Sequence, residues 1–138
     1  MKEKEAPLDA LRLMWEQAPF NRLLGLNGET LEPGHAVIAL PVREEFVGAP
    51  RRPALHGGVV SALIDTTGGA AAWAALGPGE SVSTVDLRVD FLEPARLAGP
   101  LRADRDGADH RVEVHADREV RAQPFAEPAP GALRRVGQ

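Results

Sequence analysis

Hydrophobic positions repeat at two different periods along this chain, and the change of period separates its predicted elements. The apolar residues of PLDALRLMWEQA recur at intervals of three and four, which predicts an amphipathic helix over about residues 7–19. GLNGETL and HAVIALPV predict two strands joined through EPGH. A long, almost entirely apolar stretch then predicts a central helix over about residues 57–76, ended by GPGE.

Strict alternation of apolar and polar residues follows the central helix. SVSTVDLRVDFLEP places Val85, Leu87, Val89 and Phe91 on one side, which predicts a half-buried strand. RVEVHADREVRAQ alternates as well, and it is the single convincing strand of the stretch that follows, around residues 111–123. Residues 124–138 are rich in proline and aperiodic, and we expect a loosely ordered tail. The pattern therefore predicts one α+β domain over residues 1–123, with a curved antiparallel sheet around the central helix.

Composition narrows the possible functions. A chain of 138 residues suffices for one core, and a formal charge of −4 with scattered arginines argues against a nucleic-acid partner. The lack of cysteine excludes disulfides, thiolate zinc sites and a cysteine nucleophile, and it fits a reducing compartment. The first residues contain no apolar region of a signal peptide, and the glycines and prolines of the apolar stretch make it a poor membrane span. We expect a cytoplasmic protein without a membrane partner.

The candidate chemistry lies in His56-Gly57-Gly58 and Asp65. A buried carboxylate is costly unless it is paired, so Asp65 either faces solvent, caps a loop, or acts as a base or nucleophile in a dry pocket. His56 can be a structural group or part of the site. The two glycines can serve a tight turn, or can leave backbone N–H groups at the helix start open to a developing oxyanion.

The spacing of Gly57 and Asp65 bears on the assembly. The two residues are eight positions apart, which is roughly 12 Å along a helix at about 1.5 Å per residue. An oxyanion donor and a base must both lie within about 3 Å of one reacting centre, so a single helix cannot supply both. Two antiparallel copies could, with Gly57 of one chain facing Asp65 of the other.

These residues resemble a known family. His56-Gly57-Gly58, six residues and then Asp65 resemble the hotdog-fold acyl-CoA thioesterases, particularly the branch of phenylacetyl-CoA and 4-hydroxybenzoyl-CoA thioesterases. VDLRVDFLEPAR resembles the strand that follows the central helix in that family. The resemblance covers roughly residues 20 to 98 and implies hydrolysis of an acyl-CoA thioester to coenzyme A and a carboxylic acid.

The resemblance also implies roles for matching residues. Asp65 would be the base or nucleophile, and the Gly57 N–H of the partner chain would polarise the thioester carbonyl. His56 would orient that carbonyl or the helix start, and Thr84 would hold the attacking water. The predicted substrate-binding residues are Gly58, Arg51, Arg52 and Arg88, with Arg96 a further candidate for the phosphates of coenzyme A; each arginine can equally be a solvated surface residue. No metal or other cofactor is implied, and the predicted assembly is a homodimer or homotetramer with sites at the dimer interface.

Some positions depart from the family pattern. Pro50 stands where many relatives have an amide side chain, and Gly68 and Gly69 stand where some carry a hydroxyl, although Thr66 and Thr67 are adjacent. The stretch after the predicted strand is also short, which predicts shortened C-terminal strands.

Other functions remain open at this point. These departures motivate one alternative, a non-catalytic acyl-CoA binding or sensing protein. A hydratase of the same fold ranks lower, because its histidine position holds Ala70. A dimeric domain with no small-molecule role is the remaining alternative. The sequence does not specify the acyl group; Trp73 and Phe46 could line an aryl pocket or pack in the core.

Overall fold

A four-stranded antiparallel sheet packed on one long helix forms the body of the protein. The computed structural model describes residues 9, 12–13, 15–49, 51, 54–77, 79–97, 99–106 and 112–116. The strands are β1 (Asn27–Glu32), β2 (His35–Leu40), β3 (Leu101–Arg105) and β4 (Glu113–Ala116), and they lie in the order β1-β2-β3-β4. The sheet and the central helix are those of the predicted α+β architecture.

The first two strands form the predicted hairpin. Glu32 pairs with His35, and Pro33 and Gly34 make the turn. Gly34 has a φ of 81°, a conformation that glycine adopts without the steric cost that a side chain brings. The Gly34 N–H also donates to the Ala71 carbonyl at 3.1 Å, which ties the hairpin to the central helix.

The central helix, Gly57–Ala74, confirms the prediction and ends two residues before the expected boundary. One of its faces packs on the sheet, and its buried residues are Val60, Leu63, Thr67, Ala70, Ala71 and Ala74. Ala36, Ile38 and Leu40 of β2 and Leu101 and Ala103 of β3 meet them as the sheet's side of the core. The burial of Thr67 leaves no unsatisfied polar group, because its hydroxyl donates to the Leu63 carbonyl at 2.7 Å.

The N-terminal region differs slightly from the prediction. The described residues 9, 12–13 and 15–17 are helical, and a separate short helix, Pro19–Leu24, then begins at the proline expected to end the first. Proline suits the first turn of a helix because its missing N–H has no intrahelical partner there. Trp15 is buried in the core, as is Leu24 of the short helix.

The strand predicted over SVSTVDLRVDFLEP is wrong for this structure. Residues 81–92, which we call the post-helix segment, contain no strand. Val85 is 99% exposed and Phe91 58% exposed, so the alternating apolar side is not buried. A strand needs a neighbour for its backbone N–H and C=O groups. The four described strands pair only with one another, so the post-helix segment has no neighbour among them.

β3 lies between the two alternating stretches, and the hydrophobic pattern of the sequence does not predict it. Its five residues carry only Leu101 and Ala103 as inward apolar positions, and an alanine gives little periodic signal. β4 covers part of the strand predicted around residues 111–123. Residues 117–123 and the predicted tail at 124–138 lie outside the described residues.

Candidate active site

The candidate site lies at the start of the central helix and on its outer face, away from the sheet. At about 100° per residue, Asp65 points opposite to the buried row that contains Leu63 and Ala70. The same outer face carries small residues, none of which is buried. They are Gly58, Ser61, Ala62, Gly68, Gly69 and Ala72. The fold therefore buries one side of the helix and leaves the carboxylate on the other.

The backbone N–H groups of the helix start are almost all paired. The His56 N–H donates to the Phe46 carbonyl at 2.7 Å. The Gly58 N–H donates to Nδ1 of His56 at 2.9 Å, and the next two N–H groups in the chain donate to the His56 carbonyl. The Gly57 N–H has no acceptor within the described part of the chain. This accounting leaves Gly57 as the donor open to a ligand at a helix N-terminus, where the helix dipole favours negative charge.

His56 is the N-cap of the central helix. Its ring nitrogen Nδ1 accepts a hydrogen bond, so Nδ1 carries no proton and the neutral ring carries its proton on Nε2. The side chain therefore has a structural task at the helix start, which is one of the two roles expected for it. Nε2–H has no acceptor among the described residues, and His56 is exposed.

The position of His56 depends on Gly48, a residue that the sequence analysis did not single out. A Cβ at Gly48 would lie 2.8 Å from the Cα of His56, closer than real Cβ contacts. The Gly48 N–H donates to the Ala54 carbonyl, and Val47 forms an antiparallel bridge with Leu55. A tight turn of chain thus presses on the helix start. The glycine in a proline-rich loop was the only signal available in the sequence.

Asp65 is half-buried and hydrogen-bonded. The Thr84 hydroxyl donates to its Oδ1 at 2.6 Å, a short bond of the kind made to carboxylates. Oδ2 of Asp65 has no hydrogen-bond partner among the described residues and can accept from a water or a substrate. The structure thus brings Thr84, from the post-helix segment, directly to the carboxylate. Thr67, one of the two neighbouring threonines, faces the core and cannot take that role.

The predicted substrate-binding residues are less closely grouped. Gly58 is held by the cap of His56. Arg51 is exposed in the loop before the helix, and Arg88 is exposed on the post-helix segment, where it pairs with Asp90 at 3.3 Å. Arg96 is exposed, and its backbone forms a bridge with Ala54. Arg52 and Pro50 lie outside the described residues.

Aromatic side chains of the two candidate pocket residues differ in burial. Phe46 is 8% exposed and belongs to the core, with the Arg43 guanidinium 5.3 Å from its ring centroid. Trp73 is half-buried. Within the residues described, no group of three or more histidine, aspartate or glutamate side chains is arranged to hold a metal ion. No helix in that part of the chain has the length and apolar character to cross a membrane.

Known proteins are similar to this chain in sequence and in fold. The sequence profile of the thioesterase superfamily matches residues 53–104, which include the helix start, Asp65 and Thr84. The medium/long-chain acyl-CoA thioesterase YigI of Salmonella typhimurium is 33% identical to this chain over an alignment 134 positions long. The alignment covers 80% of this chain and 86% of that protein.

Solved structures of other proteins have a similar fold. A thioesterase family protein of Silicibacter pomeroyi has a TM-score of 0.63 at 28% identity, covering 68% of this chain and 67% of that one. The E. coli PaaI protein, from the phenylacetic acid degradation operon, has a TM-score of 0.61 at 24% identity, covering 74% and 69%; it supports the fold alone. The chain belongs to the thioesterase superfamily: it has the hotdog fold and is a thioester hydrolase.

Proposed function

We propose that the protein hydrolyses acyl-CoA thioesters to coenzyme A and a carboxylic acid, in sites shared by two copies of the chain. The observation that carries the proposal is the Gly57 N–H, which lacks an acceptor in the described chain while its neighbours at the helix start are paired. A carbonyl oxygen fits such a donor, and a developing oxyanion fits it better. The named relative supports a medium- or long-chain acyl group for this chain.

The reaction uses water and one carboxylate. Oδ2 of Asp65 takes a proton from water while the water oxygen bonds to the thioester carbon, and the carbonyl electrons move onto oxygen beside the Gly57 N–H. Collapse of this intermediate restores the C=O bond and breaks the C–S bond. The leaving thiolate takes the proton that Asp65 accepted, which restores the carboxylate, and the carboxylic acid is released. Thiolate is a good leaving group, so the chain needs no strong acid beside the sulfur.

Thr84 has two tasks in this proposal. Its hydroxyl holds Oδ1 of Asp65, which leaves Oδ2 directed at the water. The hydroxyl oxygen can also accept a hydrogen bond from the same water, since it is donor and acceptor at once. Thr84 thus positions the base through its bond to Asp65. It also holds the water, which is the role that the family resemblance implies.

The shared site follows from the helix geometry. Gly57 and Asp65 are eight residues apart on one helix, or roughly 12 Å, too far to serve one carbonyl. The small residues of the outer face allow a second helix to approach closely; at Gly69, for example, an added Cβ would meet no atom within 4 Å. Val85 and Leu87 of the post-helix segment add exposed apolar surface to the same interface. The proposal is therefore a homodimer, which a further pairing could extend to a tetramer.

The described candidates for the phosphates of coenzyme A are Arg51, Arg88 and Arg96. All three are exposed, and arginine binds phosphate through a planar set of N–H donors. Arg88 already pairs with Asp90, so phosphate binding there requires that this exposed pair opens. The proposal retains the cytoplasmic location that the sequence analysis expects.

The first test is release of coenzyme A from short, long and aryl acyl-CoA esters. We expect turnover by the native protein and a loss of about a hundredfold or more in kcat for Asp65→Asn, the range of general base catalysis. Asp106→Asn is the matched control, because Asp106 is exposed and lies at the end of β3. Tight binding of the esters without turnover would instead favour the acyl-CoA binding protein.

A further inference from the structure

Phe91 lies directly against the start of the central helix. A Cβ built at Gly57 would be 3.3 Å from Cζ of Phe91 and 3.5 Å from its Cε1, distances that leave no room for a larger residue without a shift. The ring therefore lies beside the α-carbon of Gly57, whose N–H has no acceptor among the described residues. Any side chain at position 57 would press on this ring, whereas glycine leaves space for the ring and for a ligand.

Contacts on both sides of Phe91 attach its stretch of chain to the helix and to the residues before it. Toward the C-terminus, the Leu55 N–H donates to the Ala95 carbonyl at 2.8 Å, and Ala54 forms a bridge with Arg96. Toward the N-terminus, Thr84 is bonded to Asp65. The post-helix segment is thus attached next to both chemical groups of the helix.

The exposure of Phe91 is unusual for an aromatic ring in such a fixed place. The residue is 58% exposed, so only part of the ring covers Gly57 and the rest is open. Packing of the core does not explain it, because Phe91 is absent from the hydrophobic core cluster. An open apolar surface beside an N–H that has no acceptor in the described chain suits a ligand with a carbonyl next to a hydrocarbon chain, as in an acyl thioester.

We propose that Phe91 is a substrate-contacting residue of the thioester site, which covers the hydrogen bond between the Gly57 N–H and the carbonyl and excludes water from it. This inference rests on the proposed function. A hydrogen bond to a developing oxyanion is stronger when water is excluded. Because Phe91 belongs to the same chain as Gly57, it acts in the site whose Asp65 comes from the partner chain.

The test compares Phe91→Ala, Phe91→Leu and the control Leu92→Ala, since Leu92 is 78% exposed on the same segment and has no role in the proposed site. We expect kcat to fall about tenfold in Phe91→Ala by the same factor for short and long acyl chains, since one oxyanion contact is weakened. Phe91→Leu keeps apolar cover and should retain most of the activity. An unchanged kcat, or a rise in KM confined to long chains, would overturn the proposal.

Two further measurements separate this inference from the proposed function. The first is binding of an acyl-CoA ketone analogue, in which a methylene replaces the thioester sulfur, to native protein and Phe91→Ala. We expect weaker binding to the variant, even if the native protein fails to turn over its substrate. If the native protein turns over and both proteins bind alike, the Phe91 proposal alone fails. The second is oligomeric state by sedimentation; a loss of activity that accompanies dissociation would show that the ring acts through assembly and would contradict the proposal.

Discussion

The two faces of the central helix differ in almost every physical respect. The sheet-facing row is apolar and buried, and Leu63 at its centre has no exposed surface. The outer face carries glycine, alanine and serine around Asp65, which is half-buried and bonded to a segment that follows the helix. The inner face determines whether the helix has a place in the fold. The outer face carries Asp65, the one charged residue of the helix.

A side-chain deletion on the inner face should have the largest effect. Leu63→Ala removes a fully buried side chain and leaves a cavity against the sheet, which should lower the free energy of unfolding by about 2–5 kcal/mol. Leu92→Ala is the control, because Leu92 is 78% exposed, and its effect should stay within about 0.5 kcal/mol. Urea denaturation measures both. If Leu63→Ala and Leu92→Ala lowered the free energy of unfolding equally, the inner face of the helix would not be the one that stabilises the fold.

A change at Gly57 should leave the fold intact and remove activity. Gly57→Pro removes the N–H donor and should fit the helix start, because proline suits the first helical position. His56, with φ −60° and ψ 131°, also has the conformation preferred before proline. Gly57→Ala adds a Cβ against Phe91 as proline does, but it keeps the N–H. We expect kcat of the proline variant to be about a hundredfold to a thousandfold below that of the alanine variant. Similar kcat values for the two would exclude the N–H from the reaction.

Thr84 should matter for activity without mattering for the core. Thr84→Val keeps the shape and removes the hydroxyl that donates to Asp65, so kcat should fall by about tenfold. Thr84→Ser restores the hydroxyl and should recover most of the loss. Steady-state kinetics of the pair measure the effect, and full activity of the valine variant would show that the bond to Asp65 does not position the carboxylate.

Substitutions of His56, the N-cap of the central helix, should have the smallest effect. We expect that effect on the free energy of unfolding. His56→Ala leaves the Gly58 N–H without its acceptor, which should cost about 1 kcal/mol, whereas His56→Asn supplies another side-chain acceptor. The two variants differ in the cap and share the loss of the imidazole. Thermal unfolding that ranks them equally would mean that the bond from Gly58 to the ring contributes little.

Local patterns sufficed for the central helix and the first hairpin. The helix was predicted over about residues 57–76 and spans Gly57–Ala74, because its long apolar stretch is bounded by glycine-rich signals at both ends. The hairpin was predictable because proline and glycine at its turn mark a defined backbone conformation. Both depend on residues close in sequence.

The strands beyond the helix were harder to predict for physical reasons. Alternation in the post-helix segment shows which residues could share a face, but only a neighbouring strand makes a strand of it. β3 has a neighbour on each side, yet its inward residues are one leucine and one alanine, which give a weak pattern. Strand pairing across long sequence separations is a property of the whole sheet, so the residues of one strand alone do not predict it.

The candidate site was predictable in its residues but not in its contacts. Asp65 was identified as a lone charge in an apolar helix, and Gly57 by its place at the helix start. The pairing of the neighbouring N–H groups, which singles out Gly57, depends on His56 and on the loop around Gly48. The contact of Phe91 with Gly57 was also invisible, because alternation predicted that this ring would be buried in a sheet.

The shared site is tested most directly by mixing two inactive variants, Asp65→Asn and Gly57→Pro, and reassembling them together. If Asp65 of one chain works with Gly57 of the other, a mixed dimer contains one intact site and activity returns when the two proteins are combined. Each variant alone should stay inactive after the same treatment. If both groups act within one chain, every site in the mixture lacks one of them, and an inactive mixture of confirmed mixed dimers would contradict the account.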